Sequence, residues 1–84
     1  MNYTLAVFKT RFATLNFANL LRSNNVPAAI INTPQSINRI CGISVKFLSD
    51  YYSKVQTLMG GRLNNFEGFY SYTERNGRIS LFKL

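Results

Sequence analysis

Tyr3-Thr4-Leu5-Ala6-Val7-Phe8-Lys9-Thr10 is the stretch whose reading decides the architecture. Tyr3 to Phe8 is a β-branched and aromatic run of strand length, with Tyr3, Leu5 and Val7 on one face. Thr10 then offers a side-chain oxygen to the free N–H groups that open a helix. In that helix Ala13, Phe17, Leu20 and Leu21 fall at i, i+4, i+7 and i+8, which makes one apolar stripe. Asn24-Asn25 ends it, because asparagine tolerates the left-handed conformation of a helix C-terminus, and Pro27 prevents continuation. Ala28 to Asn32 reads as a short second strand.

The same pattern then repeats. Ile43-Ser44-Val45-Lys46-Phe47 alternates as a third strand with Ile43, Val45 and Phe47 inward. Ser49 or Asp50 is placed to cap a second helix, whose apolar positions Tyr51, Val55, Leu58 and Met59 reproduce the first helix's spacing. Gly60-Gly61 stops it. Phe66 to Thr73 and Arg78 to Leu84 are two further strands joined through Asn76-Gly77, a strong hairpin signal. Two similar βαβ halves in 84 residues predict a single domain, 1–84, of α+β class. The expected fold is a ferredoxin-like βαββαβ sandwich with an extra C-terminal strand and two helices on one face of an antiparallel sheet. A chain this short buries only about 60% of its unfolded surface, so the expected stability is on the order of 5 kcal/mol.

The 46% hydrophobic content belongs to a globular chain rather than a disordered one. No stretch approaches the roughly 18 apolar residues of a membrane-spanning helix. The N-terminal residues lack the basic region and small-residue cleavage site of a signal peptide. One cysteine rules out an intrachain disulfide framework and fits a reducing, cytoplasmic setting. Ten Lys and Arg against three Asp and Glu give a net charge of +7, which attracts anions and acidic partners. The basic residues are spread along the chain, so there is no nucleic-acid-binding tail.

The side chain best suited to chemistry is Cys41, in the run Asn32-Thr33-Pro34-Gln35-Ser36-Ile37-Asn38-Arg39-Ile40-Cys41-Gly42. With no histidine in the chain, Ser44, Ser49 and Ser53 have no base to activate them, and one cysteine cannot build a structural zinc site. Cys41 is either a soft nucleophile at the end of a loop or a small apolar residue at the top of the core. In the expected topology the Thr33–Gly42 loop, the Lys9-Thr10-Arg11 helix start and Gly60-Gly61-Arg62 reach the same end of the sheet. Lys9, Arg11 and Arg39 would then converge on Cys41 and lower the thiol's pKa from about 8.5, helped by the first helix's N-terminal amides. Asn32-Thr33-Pro34 would set the loop through side-chain bonds to backbone amides. Gly42 would leave room for a partner's close approach.

Asn-Thr-Pro, a short spacer and Cys-Gly-Ile-Ser-Val resemble the signature of the small selenium/sulfur carrier-like proteins. Val7-Phe8-Lys9-Thr10 with its helix and Pro27, and the closing Phe66-Glu67-Gly68-Phe69-Tyr70, are similar to the same family. The resemblance implies that Cys41 holds the chalcogen as a persulfide or selenopersulfide. It implies a donor protein of the cysteine desulfurase type, an acceptor enzyme and no cofactor beyond the transferred atom, and so a carrier rather than a turnover enzyme. Lys9, Thr10, Arg11, Asn32, Thr33, Pro34, Arg39 and Gly42 would form its surroundings.

The alternative is a non-catalytic basic module for RNA or an acidic protein. Phe69, Tyr70, Tyr72 and Phe82 on a basic sheet faintly echo the base-stacking strands of RNA-recognition motifs. Phe12 and Leu15 fall off the first helix's inward face and are candidates for a partner or dimer contact. A third possibility is dimerisation through an edge strand.

Overall fold

The run Asn2–Phe8 forms strand β1 and becomes the middle of the sheet. The computed structural model describes residues 2–34, 37, 42–60 and 65–84. β1 is followed by helix α1 (Arg11–Ser23), strands β2 (Ala29–Asn32) and β3 (Ile43–Leu48), helix α2 (Tyr52–Met59), and strands β4 (Phe66–Arg75) and β5 (Arg78–Lys83). The five strands lie in the order β2-β3-β1-β4-β5, and every neighbouring pair is antiparallel. Among the described residues the fold is therefore α+β, a five-stranded antiparallel sheet with two helices. β1 runs parallel to β2 with β3 between them, and β3 parallel to β4 with β1 between them. No helix among the described residues is long and apolar enough to cross a membrane.

Both ends of α1 form as the sequence predicts. The Thr10 hydroxyl accepts the Ala13 N–H at 3.1 Å. At the other end Asn25 takes φ +64°, its N–H donates to the Arg22 carbonyl and that of Val26 to the Leu21 carbonyl at 2.9 Å. This pair of bonds satisfies the last carbonyls and folds Val26 back onto Leu21 in the core. The buried stripe is Thr14, Phe17, Ala18 and Leu21, whereas Ala13 and Leu20 only flank it. The helix is thus turned by about one residue from the expected stripe, because the small Ala18 lets it lie close to the sheet.

α2 starts differently from expectation. Neither Ser49 nor Asp50 caps it; a 3-10 turn, Ser49–Tyr51, leads into the helix. The Ser49 hydroxyl instead bonds that of Thr4 at 2.9 Å, giving a buried β1 side chain its partner. Gly60, at φ +58°, ends α2; Gly61 lies outside the described residues. Asn76 and Gly77 both have positive φ, the geometry of the tight turn that matches strand twist.

Both helices cover one face of the sheet. Phe17, Ala18 and Leu21 of α1 and Val55 of α2 share a cluster with Ala6, Phe8, Val45, Phe47 and Phe69. Within it a chain of rings crosses the layers: Phe17 to Phe8 at 5.0 Å, Phe8 to Phe66 at 5.2 Å, Phe66 to Phe69 at 4.9 Å, and Phe69 to Tyr52 at 5.1 Å. Such tilted and edge-on pairs add to the stabilisation from area burial. On the opposite face Leu5 and Val7 pack with Tyr72 and with Ile37.

Phe8 is the joint of this ring chain and is fully buried. Phe8→Ala should cost about 3–5 kcal/mol, enough to abolish a cooperative unfolding transition in so small a domain. Phe12→Ala, at an exposed α1 position, should stay within about 0.5 kcal/mol of the parent. Thermal melts followed by circular dichroism check both.

Candidate functional site

The sheet's register brings four chain segments to one end. Ala6 lies opposite Val45 and Phe8 opposite Phe66, so Lys9, Thr33, Gly42 and Asn65 leave the strands on the same side. Two backbone bonds tie them: the Lys9 N–H donates to the Asn65 carbonyl at 2.7 Å, and the Thr33 N–H to the Gly42 carbonyl at 3.0 Å. The second bond closes the base of the loop that carries Cys41.

Two further anchors hold this loop. Thr33 and Ser44, both buried, share a hydroxyl–hydroxyl bond of 2.6 Å across the β2–β3 base. The Ile37 N–H donates to the Pro34 carbonyl at 3.1 Å, and the Ile37 side chain, only 4% exposed, packs on Leu5, Val7 and Tyr72. The anchor therefore lies on the sheet face opposite the helices. No buried side-chain nitrogen or oxygen among the described residues lacks a hydrogen-bond partner.

The expected site residues divide as follows. Lys9 and Arg11 are exposed at the start of α1, whose first turn carries no acidic residue, so the helix dipole's positive end is left uncompensated. Thr10 has its hydroxyl engaged in capping. Asn32 is exposed at the end of β2, opposite Ile43. Thr33 and Pro34 act through the loop base just described. Gly42 is exposed, and a Cβ there would meet nothing within 4 Å, so neither packing nor φ demands glycine. Arg39 and Cys41, with their expected convergence on Lys9 and Arg11, lie outside the described residues, as does Arg62.

Sequence reasoning missed Ile37 and Ser44 as anchors. The available signal was a lone large apolar residue inside the polar run Gln35-Ser36-Ile37-Asn38-Arg39, and a serine facing Thr33 across the loop.

The aromatic residues considered for base stacking do not share a surface. Phe69 is packed in the helix-side core, and Phe82, 69% exposed, lies on the opposite side of the sheet from Tyr70 and Tyr72. Tyr72 is only 8% exposed and its ring is taken by Lys46, whose Nζ sits 5.2 Å from it and 4.4 Å from the Tyr3 ring. Phe12, 74% exposed as expected, joins Phe8 and Phe17 in lining a cavity of about 320 Å³ beside Asn65.

The described geometry is that of a small α+β domain in which the base of the 33–42 loop is closed at the same sheet end as exposed Lys9 and Arg11. The chain belongs to the family described as "Putative Se/S carrier protein-like", whose model matches residues 2–71. That span includes Cys41 and ends within β4, before β5. No curated protein and no solved structure matches the chain.

The Thr33–Ser44 pair is open to a mutant cycle. Thr33→Val leaves the buried Ser44 hydroxyl without its partner and should cost about 1–3 kcal/mol, while adding Ser44→Ala should recover most of that loss. Urea denaturation of the two singles and the double measures the coupling.

Proposed function

We propose that this protein is a sulfur or selenium carrier that holds the transferred atom on Cys41, and that its fold is the ferredoxin-like sandwich with one added strand. The order β4-β1-β3-β2, with each helix connecting parallel strands that flank a third, supports the fold reading. The observation that carries the function is the family match across the cysteine loop. The loop's closed base and the open space at Gly42 support it.

In this reading the Cys41 thiolate attacks the outer sulfur of a persulfide on a donor protein of the cysteine desulfurase type. The donor's S–S bond breaks, the donor leaves as a thiolate, and Cys41 becomes the persulfide. A nucleophile on an acceptor enzyme then takes the outer sulfur and Cys41 leaves as the thiolate. The exchange is redox-neutral, and selenium follows the same course from a donor selenopersulfide. No cofactor takes part. Exposed Lys9 and Arg11 at the uncompensated start of α1 favour the anionic thiolate, with Arg39 as the third cation. Asn32, Thr33 and Pro34 set the loop.

Incubation with a persulfidated donor should add the mass of one sulfur atom, read by intact mass spectrometry and removed by a reductant. Cys41→Ser should abolish the gain while keeping the parent melting profile; a gain that survives the substitution refutes the assignment. Gly42→Ala should leave stability unchanged. It should slow loading from a protein donor more than from a small-molecule persulfide, since only the former needs close approach.

A further inference from the structure

β5 is an edge strand of the sheet. Among the described residues no strand pairs with its outer side, and the phase of the β4–β5 ladder fixes which groups that edge offers. The Leu84 N–H donates to the Phe69 carbonyl at 2.9 Å, so Phe69 and Leu84 form a hydrogen-bonded pair. Such pairs alternate along an antiparallel ladder, which assigns inward bonds to Arg78, Ser80 and Phe82 through their partners Arg75, Thr73 and Ser71. The N–H and C=O groups of Ile79, Leu81 and Lys83 therefore point outward.

The side chains flanking this edge are apolar and cationic. Ile79 is 48% and Phe82 69% exposed, on opposite faces of the strand, and Arg78 and Lys83 are exposed near its two ends. The Lys83 stem crosses Gly68, where a Cβ would come within 3.1 Å of its Cε. Cations on an edge strand deter pairing with another cationic strand. In a chain of net charge +7 they work against a second copy and in favour of an anionic one. β5 also lies beyond the residues matched by the family model.

We propose that β5 is a docking edge for an extended acidic segment of a partner protein, which adds to the sheet as a sixth strand. Outward groups of Ile79, Leu81 and Lys83 supply the main-chain bonds, Ile79 and Phe82 meet apolar side chains, and Arg78 and Lys83 meet carboxylates. This inference stands independently of the carrier chemistry at Cys41.

The test uses the full chain and a fluorescein-labelled heptapeptide alternating glutamate and valine, with a lysine–valine peptide as control, read by fluorescence anisotropy. The acidic peptide should bind and the basic one should not. Binding should weaken as salt shortens the screening length from about 10 Å at 0.1 M to about 3 Å at 1 M. Ile79→Pro deletes an outward donor without touching the β4 ladder and should weaken binding roughly tenfold. The Arg78→Glu/Lys83→Glu pair keeps the backbone and should exchange the preference toward the lysine peptide, which decides the matter if the proline variant does not fold. Equal binding of both peptides, or none of the acidic one, overturns the proposal. So does a doubling of mass in sedimentation without peptide that Ile79→Pro abolishes, because the occupant is then a second copy.

Discussion

The complete burial of β1 from Thr4 to Phe8 is the constraint on which the rest of the structure depends. Thr4, Leu5, Ala6, Val7 and Phe8 are each at most 1% exposed, although a strand presents alternate side chains to opposite faces. Both faces of β1 must therefore be covered. The helices cover Ala6 and Phe8 through the aromatic chain that also fixes β4 and α2. Among the described residues no helix lies above Leu5 and Val7. Their cover comes from Tyr72 and from Ile37, a residue of the cysteine loop.

That second cover ties the stability of the sheet to the segment between β2 and β3. Burying Ile37 lowers the free energy of the fold through apolar contact and at the same time fixes this residue of the loop against the sheet. The Thr33–Gly42 backbone bond and the Thr33–Ser44 hydroxyl pair hold the loop's base. Gly42 thereby leaves β3 at the sheet end where Lys9 and Asn65 are joined and where α1 begins. The proposed carrier role would draw on what this end offers: a loop fixed at its base, exposed Lys9 and Arg11, and open space at Gly42.

Much of the element order was legible because each element carried its own physical signal. Thr10, Asn25, Gly60 and Asn76-Gly77 sit where backbone geometry requires them, and each was readable from residue type alone. The cap of α2 was not, because Ser49 serves the buried Thr4 hydroxyl across 45 residues, a demand no local pattern encodes. The rotation of α1's buried stripe toward Thr14 and Ala18 has the same origin: close packing against the sheet overrode the larger residues' periodicity. Cys41 stood out by its rarity among reactive side chains. Ile37 did not, since its significance lies in what Leu5 and Val7 lack above them. The aromatic residues of β4 and β5 misled for a related reason. Strand alternation places Tyr70 and Tyr72 on one face and Phe69 and Phe82 on the other, and Lys46 already occupies the Tyr72 ring.

The most direct measurement is the rate of Cys41 alkylation in the native protein across a pH series, read by intact mass. A free thiol titrates near 8.5, and a thiol beside cations and a helix start titrates lower. Rapid labelling without denaturant, with a midpoint well below about 8.5, is the result the account predicts. Slow labelling that speeds up only on unfolding would place Cys41 in the core and contradict it.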